Sequence, residues 1–402
     1  MKRILFLSCC IPNELENEIT KYCKFPHNIH DAANTFQKSL IHGFIENNAD
    51  LEILSAPSLP AFPLGYKRVY IPKMQTRIEG KVLCDILPYF SFMIGKYTSI
   101  ERGIVKHVKE WIKLYPEDEL SIVGYSINVA FMSAMKTIKS RYPKVQTALI
   151  VTDMIEDAYN FKANTTFLKR IQVSLHKRKV YFSYQAIDKY ILLSKQMKER
   201  IPNCKDNYIV VEGIYTHYGD TPNIDRQKIV FYSGALDTYV NIVEMIEVFK
   251  KINRDDYKLV ICGGGPLSNY VREEADKNSN IVFLGSISRK EVLEWQRKSS
   301  ILINPRQPSE ITKYSFPSKT MEYFASGTPV LMYKLQGIPE EYYSYCYVID
   351  GFSVDEFKEC LRNVLSIEEQ ERTALGNKAR VFILTEKTSC LQVKRILKFL
   401  QN

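Results

Sequence analysis

Residues 228–350 alternate two kinds of segment, and that alternation restricts the fold more than any other feature of the chain. The apolar runs are "KIVFYSG" (228–234), "KLVICGG" (258–264), "IVFLGS" (281–286), "ILINP" (301–305), "TPVLMY" (328–333) and "CYVID" (346–350). Helical periodicity fills the gaps at 241–252, 267–277, 289–299 and 318–326. Strands that are apolar throughout, rather than at every second residue, need cover on both faces. Helices between successive strands provide that cover, so the pattern predicts a doubly wound parallel sheet.

The first half repeats the theme less regularly. Strands are expected at 3–8, 51–56, 120–125, 147–153, 189–194 and 207–213, with helices at 32–46, 100–115 and 127–141. "HYGDTPNIDRQ" (217–227) is polar, holds Gly and Pro, and lacks periodicity, so it reads as a linker. The expected organisation is a first domain over 1–216, the linker, a second domain over 228–376, and a terminal amphipathic helix in 377–402. Ligands of doubly wound sheets bind outside the carboxyl ends of the strands, and two such domains facing each other would form a cleft there.

Composition excludes several classes. The longest apolar run, "ILPYFSFMIG" (86–95), is far shorter than the roughly 18 residues of a membrane span. "MKRILFLSCC" imitates a leader but lacks a small-residue cleavage site, so a first buried strand is expected. Nine scattered cysteines without a CxxC pair suggest a reduced, cytoplasmic setting, with Cys9 and Cys10 packing at a strand end. No HxxxH or HExxH spacing occurs among the six histidines, so no metal site is expected. The net charge of +10 lies mostly in residues 1–220, where 30 Lys and Arg face 22 Asp and Glu. Within that half, "FLKRIQVSLHKRK" (167–179) reads either as a solvated helix face or as a contact with an anionic membrane surface. Basic and aromatic residues do not interleave as nucleic-acid binding requires, so nucleic acid is not an expected partner.

"YSFPSKTMEYFASGTPVLMY" (314–333) carries the densest chemistry. Pro317 suits a first helical turn and Ser315 is placed to cap it. At 100° per residue, Ser318, Lys319 and Glu322 fall within about 100° of one another, with Phe324 opposite, and Met321, Phe324 and Ala325 are expected to face the core. Free N–H groups and a lysine at a helix start favour a phosphate. A carboxylate one turn on suits vicinal hydroxyls, such as those of a ribose. The competing structural reading is a capped helix with an exposed Lys–Glu pair worth a few tenths of a kcal/mol.

"PRQPSEITKYSFPSKTMEYFASGTPVL" resembles the donor-binding signature of family 4 glycosyltransferases, particularly bacterial members that build surface polysaccharides. "FYSGALDTY", "LVICGGGP", "NIVFLGSISRKEV" and "ILINPR" follow the order of that family's second domain, and "YILLSKQMKERI" and "YIVVEGIY" resemble the end of its first. The resemblance covers about 186–350 and is only architectural over 1–150. It implies an α/β GT-B fold: two facing Rossmann-like doubly wound domains with an interdomain cleft, the donor nucleotide on the second and the acceptor on the first, and a final helix in 377–402 that packs back on the first domain. It also implies a retaining transfer without metal or resident cofactor, since the nucleoside-diphosphate sugar is itself the donor substrate.

The chain departs from the family pattern in places. Of the family's Glu-x7-Glu pair, Glu322 matches the second member, but Tyr314 stands at the first, and Glu310 is the candidate replacement at the transferred sugar. Ala235 and Tyr239 occupy the region of the usual Arg and Lys, which leaves Arg306 and Lys319 for the diphosphate. "SCCIPNE" has no glycine where a glycine-rich loop is expected.

The donor set is thus Gly234, Gly264, Ser286, Ser315, Phe316, Pro317, Ser318, Lys319 and Glu322, with catalytic candidates Asp153, Glu310, Arg306 and Lys319. "GGGP" (263–266) reads as a strand-to-helix turn, because Ser268 stands at the third glycine of G-x-G-x-x-G. Asp153 ends a strand and would orient or deprotonate the acceptor hydroxyl, or else cap a helix. His30, Asn34 and Gln37 form a polar stripe that either meets the acceptor sugar or is solvated. The expected acceptor is a saccharide or a polyprenyl-diphosphate-linked saccharide, at the inner face of the plasma membrane. A sugar-nucleotide 2-epimerase of the same fold and a catalytically silent sugar-nucleotide-binding subunit remain alternatives.

Overall fold

The computed structural model describes residues 2–24, 31–92, 95–155, 167–216, 225–252 and 254–402. The chain divides into two compact units. Unit 1 comprises Met1–Ile214 and Ser389–Asn402, and unit 2 is Tyr215–Thr388.

In unit 1 the elements run β1 (Lys2–Ser8), α1 (Glu16–Thr20), α2 (Asp31–Glu46), β2 (Asp50–Ser55), β3 (Tyr70–Ile71), β4 (Met74–Ile78), β5 (Val82–Ile86) and β6 (Tyr89–Phe90). They continue as α3 (Lys96–Leu114), β7 (Glu119–Tyr125), α4 (Val129–Arg141), β8 (Gln146–Val151), α5 (Phe167–Ser183), β9 (Lys189–Leu192) and β10 (Tyr208–Val210). The sheet order is β10-β9-β8-β7-β1-β2-β5-β4, parallel except for the edge pair β4–β5. Leu5, Phe6, Ile122, Val123, Leu149 and Ile150 are fully buried, as strands covered on both faces must be.

Unit 2 has β11 (Gln227–Ala235), α6 (Ile242–Lys251), β12 (Lys258–Gly264), α7 (Ser268–Lys277), β13 (Ile281–Phe283), α8 (Arg289–Lys298) and β14 (Ser299–Asn304). There follow α9 (Glu310–Lys313), α10 (Lys319–Ala325), β15 (Val330–Tyr333), β16 (Tyr347–Ile349), α11 (Val354–Ser366) and α12 (Glu369–Glu386). Its six strands are all parallel in the order β13-β12-β11-β14-β15-β16. The strand order reverses between β11 and β14, and the same reversal occurs in unit 1 between β1 and β7. Ligands bind doubly wound sheets at such switch points.

The last helix, α13 (Ser389–Gln401), belongs to unit 1. It buries Val393, Ile396 and Leu400 and lies so close to α2 that a β-carbon on Gly43 would come within 2.3 Å of the Ser389 carbonyl oxygen. Lys189 Nζ donates to the Phe399 carbonyl at 2.6 Å, a cation at a helix C-terminus. The boundary expected at 377 instead falls at 388/389. Residues 377–386 lie within α12 of unit 2, because Ala379, Phe382 and Ile383 bury themselves there, with Phe382 against Tyr342 and Tyr345. Residues 217–224 of the expected linker lie outside the described residues. Arg226, at its end, is anchored: its guanidinium donates to the carbonyls of Ser299 at 3.1 Å and Gly327 at 2.7 Å.

Candidate functional site

The switch point of unit 2 gathers most of the expected donor residues. β11 ends in Ser233, Gly234 and Ala235, in register with Cys262, Gly263 and Gly264 of β12. Gly263 has φ +139°, and a β-carbon there would lie 1.8 Å from the Gly234 carbonyl oxygen. Gly265 has φ +157° with Leu236 O at 2.4 Å from the same construction, so only glycine fits either position. The "GGGP" segment is therefore the expected tight turn, and it presents bare main chain beside β11. Ser286 lies next to it, with its Oγ 3.1 Å from where a Gly264 β-carbon would stand.

α10 lies over this end of the sheet. Thr320, Met321, Tyr323, Phe324 and Ala325 pack into the core and fix its rotation. Gly327, at φ +75°, terminates it, and Arg380 Nη1 donates to the Ala325 carbonyl at 2.8 Å, so its C-terminal end is closed by a cation. The buried Tyr323 hydroxyl accepts from Ser233 N–H at 2.9 Å and lies 3.2 Å from Ser233 O, which ties the helix to the end of β11. Burial raises the pKa of this phenol, so it stays neutral.

Lys319 Nζ donates to Ser233 Oγ at 3.2 Å and stands 3.8 Å from Glu322 Oε1. Glu322 is not an exposed surface pair. Gln296 Nε2 donates to its Oε1 at 2.6 Å, Arg289 Nη2 stands 3.8 Å from its Oε2, and its side chain is only 19% exposed. Two cations bracket one carboxylate and leave net positive charge over the turn. Burial raises the thiol pKa of Cys262 in the adjoining strand, although the Lys319 charge opposes the shift. Arg306 follows β14 across the switch point, with its guanidinium 5.2 Å from the Tyr239 ring centroid and no carboxylate partner among the described residues.

Several expectations need correction. Ser315 does not cap α10, because its Oγ donates back to the Ile311 carbonyl at 3.1 Å. Ser318 is the N-cap residue and makes no side-chain cap bond. The Phe316 ring is buried against Tyr342, with centroids 5.5 Å apart, so main chain is what Phe316 can offer a ligand. Pro317 instead has its carbonyl engaged by Thr320 N–H at 2.9 Å. Glu310 opens α9, which Ser309 caps through Thr312 N–H at 3.2 Å. Tyr314 is buried at the end of that turn. The sequence reading missed Ser233, Arg289 and Gln296. Arg289 and Gln296 stand at i and i+7 of a helix opened by a Ser288–Glu291 capping box, which was the available signal.

The switch point of unit 1 holds a pocket of about 260 Å³. Its walls come from the ends of β1, β7 and β8 and from α2, and include Asn34, Gln37 and Asp153. Gln37 is a correction: it is fully buried and structural. Its Oε1 accepts from Ser8 Oγ and from Cys9 N–H, both at 2.9 Å, and its Nε2 donates to Ala33 O at 3.1 Å. Asn34 likewise accepts from Ile11 N–H at 2.9 Å, so these two amides order the loop after β1 that lacks glycine. His30 lies outside the described residues. Asp153 is exposed and accepts from the Thr152 hydroxyl at 2.9 Å. Ser126 lines the same pocket at φ +65°, a strained backbone for a residue with a side chain. Cys9 lines it as well, its thiol pushed up to about 12 by burial, which makes it a packing group rather than a nucleophile.

Residues 219–382 match the family model described as Glycosyl transferases group 1. No curated protein matches the chain. Among solved structures, the apo lipopolysaccharide outer core galactosyltransferase WaaB is similar over 100% of this chain and 99% of its own, at 14% identity and TM-score 0.62. An E. coli structure described as trehalose-6-phosphate bound with UDP-2-fluoro glucose is similar over 100% and 99%, at 9% identity and TM-score 0.65. The catalytic domain of starch synthase IV from Arabidopsis thaliana, bound to ADP and acarbose, covers 100% and 99% at 8% identity and TM-score 0.62. The chain therefore has the GT-B fold. Residues 219–382, which include the whole constellation around Lys319 and Glu322, carry the sequence pattern of the group 1 glycosyltransferases. Among the described residues, no helix is long and apolar enough to cross a membrane.

Proposed function

We propose that this protein transfers a hexosyl group from a nucleoside-diphosphate sugar to a saccharide acceptor, free or lipid-linked, during synthesis of a bacterial surface polysaccharide. The observation that carries the reading is the pairing at the unit 2 switch point. Lys319 is tied to the end of β11, and Glu322 is clamped one turn further on. The diphosphate lies over the glycine turn beside Lys319, with Arg306 the second cation, and Glu322 accepts hydrogen bonds from the ribose hydroxyls. As the bond from the sugar's C1 to the β-phosphate oxygen breaks, that oxygen keeps the electron pair. Lys319 and Arg306 stabilise the charge it gains. The acceptor oxygen bonds to C1, and Asp153 takes up the acceptor's proton. Glu310 receives the hydroxyls of the transferred sugar. UDP and ADP both occur in structures of this fold, which supports the ligand class and leaves the base open.

The family resemblance supports retention of anomeric configuration without a metal. Product NMR and turnover in EDTA test these two points. The basic first half supports a place at the inner face of the plasma membrane. The primary test is a thermal-shift panel of UDP, GDP, ADP, CMP and dTDP. A ligand at 100 times its dissociation constant adds about 2.7 kcal/mol, a shift of a few degrees. One nucleoside diphosphate should stand out and lose its effect in Lys319→Ala. A flat panel with folded protein sinks the proposal.

A further inference from the structure

α5 is apolar on two faces, and among the described residues only one of them is buried against unit 1. Val180 and Ser183 are buried against the unit. On the opposite side Ile171, Leu175 and Phe182, at i, i+4 and i+11, are 43%, 57% and 45% exposed. A helix that spends apolar residues on solvent over three turns has a surface suited to an apolar ligand. Cations accompany this stripe. Arg178 and Lys136 of α4 stand 5.7 and 5.6 Å from the Phe182 ring centroid, and neither has a carboxylate partner among the described residues. Lys179 is neutralised by Glu101, 3.5 Å away. The groove of about 590 Å³ between α4 and α5 therefore carries a net charge of about +2 beside an apolar wall.

A small cavity of about 190 Å³ lies between that groove and the pocket at the unit 1 switch point, with Glu101, Leu175 and Lys179 in common with the groove and Tyr97 and Val129 in common with the switch-point pocket. Among the described residues, the switch-point pocket has no cation in its walls. Its polar groups are hydroxyls, amides and the Asp153 carboxylate, which suit a neutral sugar and repel a phosphate. Among these residues, charge and polarity thus change from hydroxyl-rich with one carboxylate to cationic and apolar.

We propose that the α4–α5 groove binds the lipid diphosphate of a lipid-linked acceptor, whose sugar end occupies the switch-point pocket. Arg178 and Lys136 hold the diphosphate, and Leu175, Phe182 and Ile171 cover the first carbons of the chain. This rests on the glycosyltransferase reading for the sugar end only. A bulk anionic bilayer would need the charged and apolar groups but not the neighbouring hydroxyl-rich pocket, so a single lipid molecule fits the arrangement better.

The test is equilibrium dialysis of the full chain with farnesyl diphosphate, kept below its micellar concentration. Farnesol, inorganic diphosphate and phosphatidylglycerol vesicles serve as comparison probes. Farnesyl diphosphate should bind more tightly than farnesol or inorganic diphosphate. Lys136→Gln with Arg178→Gln should weaken it about ten-fold or more, the scale of lost charge-assisted hydrogen bonds. Leu175→Ser with Phe182→Ser should weaken it as well, whereas Lys319→Ala at the donor site should not. An unchanged circular-dichroism spectrum and cooperative melt in each variant show that it is folded. Equal binding of inorganic diphosphate, undiminished binding in both double variants, or binding to vesicles without binding to farnesyl diphosphate each overturns the proposal. If the groove behaves as expected while the nucleotide panel is flat, the donor reading fails and the groove stands. The reverse result removes the groove alone.

Discussion

Glu322 shows what a residue type and its spacing leave out. Its place one helical turn after Lys319 was legible, but the spacing fits an exposed ion pair equally well. Gln296 separates the two readings, because a buried amide 2.6 Å from a carboxylate oxygen fixes that carboxylate in one orientation. Gln296→Ala should therefore raise the KM for the donor sugar about ten-fold or more and change kcat less, since one hydrogen bond to a charged group is lost. An equal fall in kcat with KM unchanged would contradict a positioning role. At Gly263 the main chain has no room for a side chain, and Gly263→Ala should cost about 2–4 kcal/mol in chemical denaturation. Ser315, Phe316 and Gln37 misled the reading for one reason. Each has a polar group or a ring that the fold consumes internally, and a sequence does not show which side chains its own backbone will occupy.

At the scale of elements, the fully buried strands and the helices between them were legible because each repeats one period over several residues. β3 to β6 were not, because β3 and β6 have two residues each and β4 exposes alternate side chains at a sheet edge. The terminal amphipathic helix was legible as a helix, but its start was not, since 377–386 and 389–401 are both periodic. α13 closes unit 1 through Gly43, and Gly43→Leu should separate it from α2 and expose Val393 and Ile396. Each fully buried side chain is worth about 1.5–3 kcal/mol, so urea unfolding should show a loss of several kcal/mol. An unchanged midpoint would mean that the helices repack. At the start of α3, Lys96 donates to Leu59 O at 2.6 Å, and burial lowers its pKa to about 8 from 10.5. Between those values the unfolded chain holds the proton and the folded chain does not. This group therefore adds stability as pH rises from about 8 to 10.5, and Lys96→Met should flatten that rise in a pH series of denaturation curves.

Across the whole molecule, the two sheets reverse strand order at equivalent places, and this is why one rule of α/β architecture pointed to both candidate sites. The apolar alternation in unit 2 made that legible. The contrast between a cationic turn in unit 2 and a unit 1 pocket whose described walls hold no cation was not legible, because it depends on which distant residues converge. Hydrogen exchange with the nucleotide identified by the thermal panel should show protection at 233–236, 263–268 and 316–322. These segments are far apart in sequence and meet only in the folded unit. Protection confined to other strands would misplace the donor. Unit 1 also has a property that follows from its discontinuous chain. Its helix α13 follows all of unit 2 in sequence, so a ribosome releases the closing piece of the first-made unit last. During synthesis the 215–388 segment can fold while its predecessor still lacks that helix, and the exposed face of α2 around Gly43 has to wait in contact with solvent or chaperones. A chain cut between Thr388 and Ser389 would keep all of unit 2 and leave unit 1 unfinished.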